Sequence, residues 1–267
     1  MTSLLVRPQQ PDEHGKVLEV TPETAGWKHV GFRVHRLEKG QRFESHTGSR
    51  EHCLVLLTGR ANVASGEQHW QDIGERMDVF EKIPPYSVYL PDGVSYSLEA
   101  LTDLEVAVCS APGHGNHEAR LIGPDDVKRA TRGSGSNTRH IQDILPETEP
   151  ADSLLVVEVY TPSGNWSSYP PHKHDVDDLP YESILEETYY HRLNPSQGFA
   201  FQRVYTDDRS LDEAMAVENG DCVMVPRGYH PAGVPHGYEL YYLNVMAGPK
   251  REWKFRNDPA HEWILTS

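Results

Sequence analysis

The stretch Pro171-His172-Lys173-His174, followed by Glu187 and by the turn Pro226-Arg227-Gly228-Tyr229-His230, decides the reading of this chain. His172 and His174 stand two apart on an extended segment. Side chains alternate along a strand, so both rings point to one side. A carboxylate on the next apolar segment and a third histidine after a Pro-Gly turn complete a set of three histidines and one carboxylate. That set suits a borderline divalent metal with a position left open for substrate or water.

Around this set the chain reads as short strands and turns. It holds 20 prolines and 21 glycines. Apolar runs at 55–57, 88–90, 104–108, 154–160, 199–205, 222–225 and 240–245 have the length and composition of strands. Helical periodicity is confined to two short stretches, 124–128 and 138–144. The expectation is an all-β sandwich or barrel.

A polar stretch from Arg129 to Thr138, with Gly133-Ser134-Gly135-Ser136-Asn137 as its flexible core, divides the chain near its midpoint. The two halves share a grammar. The first runs Phe43-Glu44-Ser45-His46, then Glu51-His52-Cys53-Leu54, then Pro91-Asp92-Gly93-Val94-Ser95-Tyr96. The second runs His172-Lys173-His174, then Glu187-Thr188-Tyr189-Tyr190, then the Pro226 turn. An internal duplication accounts for this, against chance recurrence of Pro-x-Gly turns. The expected domains are 1–132 and 133–267.

Composition narrows the partners. The 40 acidic and 25 basic side chains give a formal charge of -15. Nucleic acid and anionic membrane are disfavoured, whereas a small anion remains open to local cationic side chains. Three separated cysteines, Cys53, Cys109 and Cys222, read as reduced core thiols. No apolar run reaches the roughly 20 residues needed to span a bilayer, and Leu4-Leu5-Val6 is too short for a signal peptide. The expected setting is cytoplasmic.

At this point the residues resemble a known superfamily. Gly220 followed by Pro226-Arg227-Gly228-Tyr229-His230 looks like the second cupin motif, with the histidine one place early. His172-Lys173-His174 with Glu187 looks like the first, with an expanded spacing. The runs YPPHKHD, LEETYYHR, NPSQGFAFQRVYTDDRSLDE and VPRGYHP are similar to the bacterial 5-deoxy-glucuronate isomerase family of myo-inositol catabolism, and the similarity spans essentially the whole chain. The resemblance implies a bicupin, two double-stranded β-helix barrels in one chain, related to 4-deoxy-5-keto-uronate isomerase. It implies conversion of 5-deoxy-D-glucuronate to 5-dehydro-2-deoxy-D-gluconate, an aldose–ketose interconversion.

The metal set is then His172, His174, Glu187 and His230. Glu187 is preferred over Glu186 because in the resembled families the ligand precedes an aromatic strand. His236 and His191 compete with His230; His191 is expected to be exposed. Asp175, Asp177 and Asp178 read as a solvated acidic loop. The first half has His46 without a paired histidine and Tyr96 at the turn position, so it is expected to be a metal-free, degenerate cupin that packs and dimerises.

A sugar acid needs a carboxylate clamp, for which a guanidinium is the bidentate match. Arg203, set among aromatic residues in a strand, is the first candidate, against a structural salt bridge to Asp207 or Glu218; Arg192 and Arg227 are alternatives. Tyr229 and Tyr242 are expected to contact substrate, with Tyr189 and Tyr241 also available. A base must move the proton between neighbouring carbons, and Glu182, His236 and a metal-held hydroxide are the candidates. Zn²⁺ suits the ligands first, with Mn²⁺ and Fe²⁺ also fitting. Two other readings stand beside the isomerase: an Fe²⁺-dependent cupin dioxygenase and a non-catalytic sugar-binding cupin.

Overall fold

Strand Arg50–Thr58 is buried along nearly its whole length, and strand Glu186–Asn194 likewise. Each is the second of four consecutive strands in a large antiparallel sheet. In the first case the order is Ser87–Leu90, Arg50–Thr58, Leu104–Pro112, Gly31–Leu37. In the second it is Cys222–Val225, Glu186–Asn194, Glu239–Ala247, Leu155–Thr161. Each large sheet is accompanied by a four-stranded sheet of matching order. One runs Arg42–His46, Ser95–Ala100, Ala61–Ser65, Gln68–Ile73; the other runs Trp166–Ser167, Ala232–Gly233, Phe199–Tyr205, Asp212–Glu218. The repeated order is the structural form of the repeated sequence grammar. The result is an all-β bicupin.

The computed structural model describes residues 3–266. The core of the earlier barrel shows why two sheets close on each other. Leu54, Leu56, Val88 and Val106 from its large sheet cluster with Phe43, Val63 and Leu98 from its small one, all buried. Removing such side chains from water stabilises each by about 1.5–3 kcal/mol.

The two compact units do not meet at a single cut. One comprises Arg129–Gln142, Val157 onward and the chain up to Arg7; the other comprises Pro8–Lys128 and Asp143–Val156. This differs from the expected division at 132/133, for two local reasons. Leu5–Val6 pairs with Val223 and Cys222 and extends the later unit's sheet. In the earlier unit the buried Glu51 carboxylate accepts the backbone N–H of Asp152 at 2.8 Å, of Ser153 at 2.6 Å and of Leu154 at 2.5 Å, which holds 143–156 to strand Arg50–Thr58. Two helical readings are also corrected. Residues 139–144 lie in strand Arg139–Leu145, and within 124–128 the helical part is the single 3₁₀ turn Pro124–Asp126, with Lys128 opening strand Lys128–Arg132. Among the described residues no helix is long and apolar enough to cross a membrane.

Candidate metal and substrate site

The site lies within the later unit and is built by two strands and a turn. Glu187 is second in Glu186–Asn194, flanked in register by Val225 and Met246. His172 belongs to the short strand His172–Lys173, which pairs with Arg256–Asn257. His230 follows the Pro226 turn. Gly228 sits there at φ 89°, and a Cβ on it would meet the Tyr205 carbonyl oxygen at 2.5 Å, so only glycine is accommodated.

Hydrogen bonds fix the rings. His174 Nδ1 donates to the Leu185 carbonyl at 3.0 Å, and His230 Nδ1 to the Gly228 carbonyl at 2.8 Å. A carbonyl only accepts, so each Nδ1 carries a proton, and each ring, when neutral, presents a lone pair at Nε2. Those two lone pairs face Glu187 Oε2, at 3.1 Å from His174 and 3.2 Å from His230. The His230 Nε2 atom is buried and has no hydrogen-bond partner. With both rings neutral, acceptor faces acceptor, an arrangement that a metal ion between them satisfies. The His172, His174 and His230 ligand atoms all lie within 4.8 Å of one another, so the triad can hold a metal ion. Burial holds His172 well below its ordinary range and His230 down at about 4, so both are neutral and ready to ligate. Burial opposes charge on His174 too, but the hydrogen bond and charge of Glu187 raise it.

A buried ionic cluster supports these ligands. Lys173 Nζ lies 2.5 Å from Asp175 Oδ1 and 2.9 Å from Glu182 Oε1. Burial alone would lower the ammonium's pKa, but the two carboxylates raise it, and Lys173 in turn lowers that of Asp175. Asp175 Oδ2 accepts Gly228 N–H at 2.8 Å, so one carboxylate ties the His172–His174 segment to the His230 turn.

The cavity beside the triad is narrow, about 30 Å³, with room for a water or an ion. His172, Glu187, Tyr189, Tyr242, Arg139 and Trp253 are among its walls. Phe255 packs on the His172 ring at 4.6 Å between centroids. Ser168 Oγ and Tyr189 Oη are hydrogen-bonded at 2.9 Å, and Ser167 pairs with Tyr242. Burial raises both phenols' pKa values, so they stay protonated.

The structure thus brings together His172, His174, Glu187 and His230, with Tyr242 beside them. It does not bring Glu182, His236, Arg203 or Tyr229 to the cavity. Glu182 is fully buried, engaged by Lys173 and by the backbone N–H groups of Asp175 and Val176, which leaves it unavailable as the base. His236 is exposed in the turn after Pro235. Arg203 forms a two-point ion pair with Asp212, at 2.8 and 2.7 Å. The physical reason is strand alternation: Ala200, Gln202 and Val204 point inward, so Phe199, Phe201 and Arg203 point out. Tyr229 spends its hydroxyl on Asp207 at 2.9 Å. His191, expected at the surface, is fully buried and bonded to Gln202 at 2.9 Å. Of the acidic loop, Asp175 is drawn into the ionic cluster, whereas Asp177 and Asp178 pair with Lys250 and Arg256 at the surface. Arg192 and Arg227 bond to Asn219 and Ser210, away from the site.

Arg139, Ser168, Asn244, Trp253 and Phe255 are cavity residues that sequence reasoning missed. For Arg139 a signal existed. Counting back by two from Ile141 places it on the same strand face, and both side chains line the cavity.

Comparison with known proteins agrees with this geometry. The KduI/IolB family model matches residues 4–264. The 5-deoxy-glucuronate isomerase of Geobacillus thermodenitrificans is 61% identical over 267 residues, covering 100% of this chain and 97% of that one. The enzyme of the same name from Bacillus subtilis strain 168 is 51% identical over 269 residues, covering 99% of each chain. An IolB-like protein from Salmonella typhimurium LT2 superimposes with a TM-score of 0.96 at 52% identity, over 99% of this chain and 100% of that one. The Lactobacillus farciminis oxalate decarboxylase shares the fold, with a TM-score of 0.70 at 15% identity, over 100% and 91%. These full-length matches make the protein an enzyme of the aldose–ketose isomerase class, and the chain belongs to the KduI/IolB family.

Proposed function

We propose that the chain converts 5-deoxy-D-glucuronate to 5-dehydro-2-deoxy-D-gluconate in myo-inositol catabolism, with a divalent ion held by His172, His174, His230 and Glu187. The observation that carries this reading is the convergence of the His174 and His230 Nε2 atoms on the Glu187 carboxylate at a cavity with phenol and guanidinium walls. The substrate lacks the hydroxyl that closes a six-membered sugar ring, which favours presentation of its aldehyde. Three histidines and a carboxylate suit Zn²⁺ first and Mn²⁺ or Fe²⁺ next, and the bound ion supplies Lewis-acid stabilisation of the negative charge developing on neighbouring substrate oxygens.

The chain's own residues supply the rest. Tyr189 and Tyr242, held protonated, donate hydrogen bonds to the oxygens on the two reacting carbons. Glu187 is the one carboxylate among the cavity's lining residues, and we assign it the proton transfer between those carbons. Trp253 and Phe255 exclude water, and their cover must shift to admit a sugar acid into so narrow a space. The excess of acidic over basic side chains supports a small-molecule partner rather than nucleic acid or an anionic membrane.

Turnover of 5-deoxy-glucuronate by metal-loaded protein under anaerobic conditions tests the reading. Full activity without oxygen, lost on chelation and restored by a divalent ion, is expected. Consumption of substrate only when oxygen is admitted would contradict it and favour dioxygenase chemistry.

A further inference from the structure

We propose that Arg139 binds the substrate's carboxylate, with Arg132 as a second cation at the same wall, and so makes the site selective for sugar acids over neutral sugars. This deepens the reading above and rests on it for the identity of the sugar.

Arg139 is half-buried in the cavity wall beside Tyr242. Its hydrogen bonds among the described residues run from Nη1 to two carbonyls, Asn137 at 3.2 Å and Tyr169 at 3.3 Å, and none reaches a carboxylate. Arg36, Arg60, Arg203 and Arg256 each lie against an Asp or Glu; Arg120 and Arg227 bond to neutral oxygens as Arg139 does, but only Arg139 of these three lines the cavity. The carbonyl contacts orient the guanidinium plane while leaving Nε and Nη2 uncommitted to protein carboxylate. A planar fork held this way is the two-point partner of a carboxylate, and a partly desolvated cation calls for an anion. Arg132 lines the same cavity with its guanidinium 5.9 Å from the Trp253 ring centre. Arg132, Arg139 and His172 line the same cavity, so the two guanidinium groups and the triad share one space. A ligand with an acid at one end and an aldehyde at the other then meets cations with the first and the His–Glu cluster with the second.

The test compares binding of two non-reacting probes to metal-loaded protein by titration calorimetry: the sugar acid with its aldehyde reduced to the alcohol, and the neutral polyol of the same length. Wild type should prefer the acid by about 30-fold, the scale of charge-assisted hydrogen bonds. In Arg139→Gln, which retains an amide donor for the carbonyls, the preference should shrink below about threefold on the same reasoning. Arg203→Gln, on the outer sheet, should keep it. If Arg139→Gln folds poorly, Arg139→Lys carries the comparison, with a preference reduced below wild type. Equal affinity of wild type for both probes, or an undiminished preference in the folded Arg139 variant, would overturn the proposal. An acid preference that depends on Arg139 in a protein that does not turn over 5-deoxy-glucuronate would leave the clamp standing and remove the substrate assignment.

Discussion

Where the later barrel carries Glu187, the earlier barrel carries His52. Glu187 pairs with Val225, the last residue before Pro226; His52 pairs with Leu90, the last residue before Pro91. Sequence grammar aligned Glu51 with Glu187, but strand register shifts the match by one, and one residue is a change of face. His52 faces Tyr96, with Nδ1 3.3 Å from the phenol oxygen, and the two form a closed pair. His46 accepts the Gly48 N–H at 2.8 Å at the surface. The earlier barrel has a larger hollow, about 550 Å³, lined by His46, Tyr96 and several serines, yet no set of three ligand atoms converges there among the described residues. In the later barrel three histidine rings converge beside a carboxylate and could hold a metal ion. In the earlier barrel an imidazole faces a phenol instead. Volume alone does not separate the two.

Several changes sharpen or break that contrast. The largest effect is expected for Glu187→Gln, which removes the carboxylate from the triad: activity should fall about 10²- to 10⁴-fold, and exchange of the substrate C–H with solvent deuterium should fall with it. The register-matched change His52→Gln should leave kcat/KM within about threefold, as it touches no group that acts on substrate. Comparable losses from both would break the contrast.

Next comes Glu51→Gln. The Glu51 carboxylate accepts three backbone N–H groups and the Tyr89 hydroxyl, the last at 2.6 Å. Losing the charge and turning an amide NH₂ toward N–H donors should cost about 3 kcal/mol of stability, measured by denaturant unfolding, with metal content unchanged. Asp175→Asn tests the link between the histidine segments. Metal affinity should weaken about 10- to 100-fold, read by competition with a chromophoric chelator, as expected for a residue that positions ligands.

The smallest effect is a pH dependence. Burial depresses His52 from the ordinary 6.5 to about 3. The folded protein therefore binds fewer protons there than the unfolded chain. The stability is present above the unfolded value and drains away as pH falls below it. Between pH 7.5 and 5.5 the loss from this residue should be about 1.4 kcal/mol, and His52→Gln should remove that share from the unfolding curve.

Much of the fold was legible because short apolar runs bounded by Pro and Gly leave little choice: Phe199–Tyr205 and Cys222–Val225 match their predicted bounds. The triad was legible because His172, His174 and the Pro226 turn are local patterns. Arg203 misled because neighbouring Phe199 and Phe201 suggested a buried setting, whereas both are exposed, at 40% and 51%. Arg139 was missed because its strand begins inside a polar run read as helical, so the alternation from Ile141 was not applied. Glu182 was misread because its burial depends on Lys173, nine residues away, a pairing that no spacing rule announces.

The most direct test of the account is elemental analysis of metal per chain in wild type, in the His172→Ala/His174→Ala double variant and in His52→Ala. The account predicts about one divalent ion in wild type and in His52→Ala, and almost none in the double variant. Two ions per chain, or an ion retained by the double variant and lost from His52→Ala, would contradict it.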